Sequence, residues 1–90
     1  MDANQNEIAN ALIDAGCTVT LLHQVGDGCP DLLVWDGSRF ALMEIKDGDK
    51  SPSRRKLTPE QVMWHKAHEG APVFVIENVD QALEVLVLSR

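Results

Sequence analysis

Three charged side chains, Asp31, Glu44 and Lys46, are the residues of this chain best suited to chemistry. They lie at the ends of two stretches that are otherwise apolar on both faces, where charged groups need partners. Two carboxylates can hold one hard divalent cation between them, and oxygen ligands favour Mg²⁺ or Mn²⁺ over zinc. A nearby lysine can hold a phosphate oxygen or orient a water molecule. The three residues therefore predict a metal-assisted hydrolytic site.

Whether these residues meet depends on the turn between the two stretches. The pair Asp36-Gly37 favours a two-residue hairpin turn, because glycine tolerates the positive φ that such a turn requires. Counting outward from this turn, Asp31 faces Leu42, so Asp31 and Glu44 are diagonal neighbours on one face. The Ile45 side chain points to the opposite face, but its backbone carbonyl can turn toward the ion. A turn with an even number of residues unites the carboxylates, whereas an odd number separates them.

The surrounding elements predict a single α/β domain over residues 1–90, with the order αβββαβα and a central mixed sheet between helices. Breaker residues separate the second and third elements, and a polar loop follows the hairpin. We predict helices over Asn4–Gly16, Thr58–Glu69 and Asp80–Leu88, with Ala82, Leu83, Leu86 and Val87 inward in the last, and strands over Thr18–Val25, Asp31–Trp35, Arg39–Lys46 and Pro72–Glu77.

Two residue pairs have the spacing of a helix capping box. Asn4 with Glu7 fits the first helix, and Thr58 with Gln61 fits the helix that follows the polar loop. Pro59 suits the first position of the latter helix.

The charge is unevenly distributed in this acidic chain of net charge −6. Five of its eight basic residues lie in one short stretch that begins in the predicted site. Such a local cationic patch can bind phosphates, although a solubilising loop is the alternative. The five residues are Lys46, Lys50, Arg54, Arg55 and Lys56.

Composition excludes several other classes of protein. No stretch approaches the roughly 20 apolar residues that span a bilayer, and no signal peptide is recognisable. Cys17 and Cys29 do not indicate a disulfide framework, so we expect a cytoplasmic protein. No spacing of cysteine and histidine matches a compact zinc pattern.

The motifs resemble those of the PD-(D/E)XK nuclease superfamily, with Pro30-Asp31 as its first motif and Glu44-Ile45-Lys46 as its second. More closely, the chain is similar to a stand-alone VRR-NUC domain of phage or bacterial type, the virus-type replication-repair nuclease. The stretches that carry this resemblance are Gly28–Leu33, Met43–Lys46 and Leu57–Gln61, followed by Trp64. The resemblance covers nearly the whole chain and implies a restriction-endonuclease-like αβββαβ core.

The resemblance also implies an activity, namely Mg²⁺- or Mn²⁺-dependent cleavage of DNA by an endonuclease. It assigns the metal to Asp31, Glu44 and the Ile45 carbonyl, and catalysis to Lys46. Family members have an acidic residue in the first helix and a glutamine after the sheet. Glu7 and Gln61 match these positions. The resemblance therefore gives each residue a second interpretation beside helix capping, Glu7 as a further metal ligand and Gln61 as a residue that faces the site. On this basis we expect the basic residues that follow to contact DNA, namely Lys50, Arg54, Arg55 and Lys56.

Small stand-alone members of this family resemble resolvases of Holliday junctions and other branched DNA that work as homodimers. We therefore expect branched DNA and a second copy of the chain as partners, in a bacterial or phage-infected cell, with no membrane and no nucleotide cofactor. Alternatives are a non-catalytic DNA-binding module, or a nuclease for duplex DNA, single-stranded DNA or RNA. Trp64 can stack on a base, but a core or interface position is favoured.

Overall fold

The computed structural model describes residues 4–88, with the side chains of residues 4–86. Three α-helices and four strands follow in the predicted order, and a short 3₁₀ turn at residues 52–54 interrupts the polar loop. No helix in this part of the chain is long and apolar enough to cross a membrane. The elements are α1 (Gln5–Asp14), β1 (Thr18–Leu21), β2 (Leu32–Trp35), β3 (Phe40–Ile45), α2 (Pro59–Ala67), β4 (Val73–Ile76) and α3 (Val79–Leu88).

The four strands form one mixed sheet in the order β1-β2-β3-β4. The first three strands are antiparallel, and β4 runs parallel to β3. One face of the sheet packs on α1 and α3 and forms the core, which includes Ile8, Leu12, Met43, Ile45 and Ile76. The predicted α/β sheet between helices is thus confirmed. Of the inward residues predicted for α3, Ala82 and Leu86 are buried and Leu83 packs against the core, while the Val87 side chain lies outside the described residues.

The hairpin turn differs from the prediction, because four residues, 36–39, connect β2 and β3. Trp35 pairs with Phe40, whereas a two-residue turn would have paired Trp35 with Ser38. The Asp36 carboxylate closes the longer turn by accepting bonds from the Ser38 N–H, the Ser38 hydroxyl and the Arg39 N–H. Since four is also an even number, the side chains keep the predicted faces.

Asn4 also departs from its predicted role. Although it occupies the N-cap position of α1, its side chain makes no capping bond. Its amide Nδ2 instead donates to the Lys46 carbonyl at 3.1 Å and the Glu77 carbonyl at 3.0 Å. Both carbonyls follow the ends of the parallel strands β3 and β4, and the Glu77 carbonyl also accepts from the Gly48 N–H at 3.1 Å. One amide therefore bonds to the backbone beyond the ends of both strands. The capping box with Glu7 is therefore wrong, and Asn4 ties α1 to the sheet.

The second face of the sheet is only partly covered. On this face Trp35 and Phe40 pack with their ring centroids 4.7 Å apart, yet Phe40 is 54% exposed and Val75 on β4 is 43% exposed. Helix α2 has no buried residue and reaches only the end of the sheet where Glu44 lies. Helices α1 and α3 thus cover one face of the sheet, whereas α2 covers only one end of the other face within a single chain.

Candidate active site

The centre of the site is Glu44, whose side chain is 1% exposed although it is a carboxylate on a sheet face. Gln61 on α2 donates from Nε2 to Glu44 Oε2 at 3.2 Å. The same Gln61 accepts a bond from Lys46 Nζ at 2.9 Å through Oε1. Lys46 is itself only 9% exposed. Gln61 therefore bridges the carboxylate and the ammonium group of the Glu-x-Lys motif and holds both side chains on the α2 side of the sheet.

Asp31 lies across the hairpin at the point where regular pairing ends. The register, if extended by one pair beyond Leu32 and Met43, places Asp31 beside Glu44. Here the backbone becomes irregular, because the Asp31 N–H donates to the Met43 carbonyl while Asp31 Oδ2 accepts from the Ile45 N–H at 2.7 Å. The predicted diagonal offset between the carboxylates is thus replaced by a more direct juxtaposition.

The Ile45 backbone fits the predicted set of ligands. Within a strand, the N–H and C=O of one residue point to the same side. Because the Ile45 N–H bonds to Asp31, its carbonyl is directed toward β2 as well. The Lys46 N–H, by contrast, bonds to the Ile76 carbonyl on β4. Two carboxylates and one carbonyl therefore share one edge of the hairpin, and this donor set consists of oxygen alone.

The capping box of α2 explains how Gln61 reaches the sheet. The Thr58 hydroxyl accepts from the Gln61 N–H at 3.2 Å, and the Gln61 side chain accepts from the Thr58 N–H at 2.9 Å. The same Gln61 side chain therefore completes the capping box and contacts Glu44 and Lys46, while its role in catalysis stays a prediction. Pro59 stands at the start of the helix, as predicted.

A close approach of the loop before Asp31 sets the position of α2. Gly28 has a φ of +80°, and a Cβ placed there would overlap the Glu60 carbonyl and lie 2.9 Å from the Gln61 nitrogen. Only glycine fits without displacing the first turn of the helix. The neighbouring Asp27 also has a positive φ of 55°, a backbone conformation that aspartate tolerates in turns.

Two further titratable groups face the carboxylates. Burial raises the pKa of the Cys29 thiol, and the charges of Glu44 and then Asp31 raise it further. His65 Nε2 lies 4.0 Å from Glu44 Oε1. Burial, then His68, then Lys46 lower the pKa of His65, which favours the neutral form of its imidazole beside Glu44.

Glu7 lies apart from these residues. It is exposed in the first turn of α1 and lines a pocket of about 210 Å³ that contains Asp47, Asp49 and Glu77 but neither Asp31 nor Glu44. Within residues 4–88, no group of three or more His, Cys, Asp and Glu side chains is close enough to hold a metal ion. A role for Glu7 as a metal ligand stays a prediction.

The basic loop is divided between two environments. Arg55 forms an ion pair with Glu77, with Nη1 and Oε2 2.8 Å apart and both side chains about three-quarters buried. Arg54 and Lys56 on either side are exposed, and Lys50 is half-buried. This pattern gives Arg55 a structural partner and leaves its two neighbours accessible to solvent. Contacts to DNA by these residues stay predictions.

Trp64 is half-buried on α2 and stacks on His68, with ring centroids 3.7 Å apart. It also lines a shallow apolar pocket with Met63 and Pro59. The indole is therefore packed against its own helix, which agrees with the favoured structural interpretation more than with base stacking.

Sequence reasoning missed His65 as a neighbour of the site. The available signal was its spacing, since residues four apart share one helix face and Gln61 was already a candidate. The roles of Asn4 and of Glu77, the partner of Arg55, had no comparable signal, because both depend on contacts between distant parts of the chain.

Comparison with known proteins supports the same fold. No family model matches the chain, and no curated protein matches its sequence. A solved structure described as a VRR_NUC domain matches with a TM-score of 0.66 and 27% sequence identity, over 92% of this chain and 89% of that chain. VRR-NUC domains are a family of nuclease domains. The match confirms the resemblance predicted from the motifs, and the fold of this chain is similar to that of a VRR-NUC domain, a restriction-endonuclease-like fold.

Proposed function

We propose that this domain is a metal-dependent DNA endonuclease that acts on branched DNA such as a Holliday junction. One observation carries the proposal: Glu44, Lys46 and Gln61 form a connected network beside Asp31 on a nuclease fold. A carboxylate as deeply buried as Glu44 is costly to maintain unless it is paired or binds a cation. The burial therefore favours a functional site over a solvated surface.

The donor atoms suit a hard divalent cation. Asp31, Glu44 and the carbonyl of Ile45 would hold Mg²⁺ or Mn²⁺, and waters would complete the coordination. When bound, the cation lowers the pKa of an attacking water and neutralises charge on the phosphate in the transition state.

Lys46 supplies the cationic group of the protein itself. Its ammonium is held by Gln61 Oε1 at 2.9 Å and keeps two further donor hydrogens. These can bind a phosphate oxygen or orient water for attack on phosphorus. Hydrolysis forms a new P–O bond with the water oxygen and breaks the bond to the 3′ oxygen. The attacking water releases a proton and the leaving 3′ oxygen takes one up, so the products are a 5′-phosphate and a 3′-hydroxyl.

The exposed basic residues give the DNA backbone a place to bind. Arg54 and Lys56 flank the Arg55–Glu77 ion pair in the loop that leaves the catalytic strand. Contacts of this type are to phosphates, so they position DNA without reading its sequence. Together with Lys50 they offset the negative charge of the chain near the scissile bond.

A homodimer completes the proposal, since two active sites can address two strands of a junction. The half-covered sheet face with Phe40 and Val75 is the surface we assign to the second copy. Its neighbours Leu33, Leu42 and Val73 are also uncharged. Two acidic chains can approach at such a face without direct repulsion. Val75→Lys should yield monomers in gel filtration with light scattering, whereas the exposed Val62→Lys on α2 should not.

Cleavage assays test the activity. Four-way junction, flap, duplex and single-stranded DNA, and RNA, are incubated with the protein and Mg²⁺ or Mn²⁺, with EDTA as the metal-free control. Branched DNA should be cut most rapidly, and only with metal. Preference for another substrate would refute the choice of branched DNA, while binding without any cleavage would indicate a DNA-binding module.

Matched variants assign the roles of residues. Lys46→Ala and Asp31→Asn should abolish cutting. Lys66→Ala and Asp14→Asn remove the same charges at exposed positions of α2 and α1 and should leave cutting unchanged. Undiminished cleavage by Lys46→Ala would overturn the mechanism.

We also propose a cytoplasmic location for this protein, which cell fractionation can test.

A further inference from the structure

His65 is a neighbour of the site to which neither the motifs nor the mechanism above give a role. It follows Gln61 by four residues on α2, so the two side chains leave the same face of the helix. Gln61 contacts Glu44 Oε2 at 3.2 Å, and His65 Nε2 lies 4.0 Å from the other oxygen, Oε1. Two consecutive turns of one helix thus flank the two oxygens of one carboxylate.

The burial of His65 Nε2 adds a second, independent observation. The atom is inaccessible to solvent and makes no hydrogen bond with any residue that the structure describes. A buried polar atom without a partner is unfavourable, so native proteins rarely retain one without a use. Its separation from Glu44 Oε1 exceeds a hydrogen bond by about 1 Å, a gap that a small rotation of either side chain closes.

We propose that His65 is a positioning residue that donates from Nε2 to Glu44 Oε1 and orients this carboxylate for the divalent cation. Gln61 holds the other oxygen, so the carboxylate plane is set from two sides. Partners of this kind behind a metal ligand commonly change metal affinity by about 10–100-fold. The inference rests on the proposed function, because it assumes that Glu44 binds the metal.

The test is the affinity for Mn²⁺, measured by isothermal titration calorimetry on the whole chain. His65→Ala removes the donor and should weaken Mn²⁺ binding by about 10–100-fold. His65→Gln places an amide donor at similar reach and should restore much of the affinity. His68→Ala, an exposed imidazole on the same helix, should bind Mn²⁺ like the wild type.

Thermal unfolding without metal separates positioning from packing. If His65→Ala does not fold, His65→Phe fills the space without a donor and takes its place beside His65→Gln. Equal Mn²⁺ affinity of His65→Phe and His65→Gln would overturn the positioning role. Wild-type affinity in His65→Ala would do the same and leave the proposed function intact. A wild-type chain that binds no Mn²⁺ would overturn the proposed metal dependence, and the inference with it.

Discussion

Gln61 contacts both the helix cap and the candidate active site with the same side chain, so its replacement should affect both. In Gln61→Ala, three bonds disappear: one from the Thr58 N–H, one from Lys46 Nζ and one to Glu44 Oε2. Thr58→Ala provides the matched control, because it removes the other half of the capping box and touches neither charged residue.

The magnitudes follow from the character of these bonds. A neutral hydrogen bond contributes about 1 kcal/mol and one to a charged group about 1.5–3 kcal/mol. Lys46 at 9% exposure can recover some of its loss from water, whereas Glu44 at 1% exposure cannot. We therefore expect Gln61→Ala to lower the free energy of unfolding by about 3 kcal/mol. Thr58→Ala should lower it by about 1 kcal/mol.

Calorimetry and urea unfolding without metal measure the first effect. For a domain of this size, 1 kcal/mol corresponds to about 4–8 °C in Tm, so the two variants are readily distinguished. Cleavage of junction DNA with Mg²⁺, at a temperature where both variants are folded, measures the second. Gln61→Ala should cut about 10–100-fold more slowly than the wild type. Thr58→Ala should cut at the wild-type rate.

Gln61→Glu separates the two roles further. A glutamate can still accept from the Thr58 N–H and from Lys46, but it cannot donate to Glu44 and places a second carboxylate beside it. The helix cap should survive while cleavage falls. Equal losses of stability and equal cleavage rates in Gln61→Ala and Thr58→Ala would refute this reasoning and reduce Gln61 to a helix cap.

Four other perturbations give independent checks. Asn4→Asp keeps a good N-cap residue but loses the donor to two carbonyls, so it should reduce the free energy of unfolding in urea by about 1–3 kcal/mol; no loss would indicate an ordinary cap. Gly28→Ala forces a side chain against α2 and should lower both Tm and cleavage rate, while Gly16→Ala, at a similar φ with open space around it, should lower Tm less and spare cleavage. Asp36→Ala opens the hairpin turn and should cost about 1–2 kcal/mol in urea unfolding without changing Mn²⁺ affinity. The lowered pKa of His65 means that the unfolded chain binds its proton more readily, so this contribution to stability is present above pH 6.5 and is lost as the pH falls below it. Urea unfolding from pH 8 to 5 should show a shallower decline in His65→Phe than in the wild type.

The local patterns of the sequence predicted much of this site. Alternation along Leu32–Trp35 and Phe40–Ile45 put Asp31, Glu44 and Lys46 on one face, and that relation depends only on the parity of the turn. The length of the turn was harder to predict. It follows from three bonds accepted by the Asp36 carboxylate, which compete with the two-residue turn that Asp36-Gly37 also permits.

Contacts between distant segments were beyond local reasoning. A polar side chain at Asn4 suits both a helix N-cap and a bond to a distant part of the chain. Only the position of two carbonyls far along the chain decides between these two roles. The same holds for Arg55, whose partner Glu77 lies 22 residues away. A basic residue in a loop looks alike in sequence whether it is committed to an ion pair or accessible to a ligand.

The tether made by Asn4 has a consequence for the order of folding. Its two acceptors are 42 and 73 residues away in the chain, so the bonds close some of the longest loops in the molecule. Long-range contacts of this kind cannot form before the parallel strands have brought their ends together. We therefore expect a folding φ-value near zero at Asn4. Substitutions of Asn4 should accelerate unfolding and leave the folding rate almost unchanged. The Asn4 amide, which stabilises the backbone at the end of the Glu-x-Lys strand, would then form its hydrogen bonds late in folding, only after the hairpin is complete.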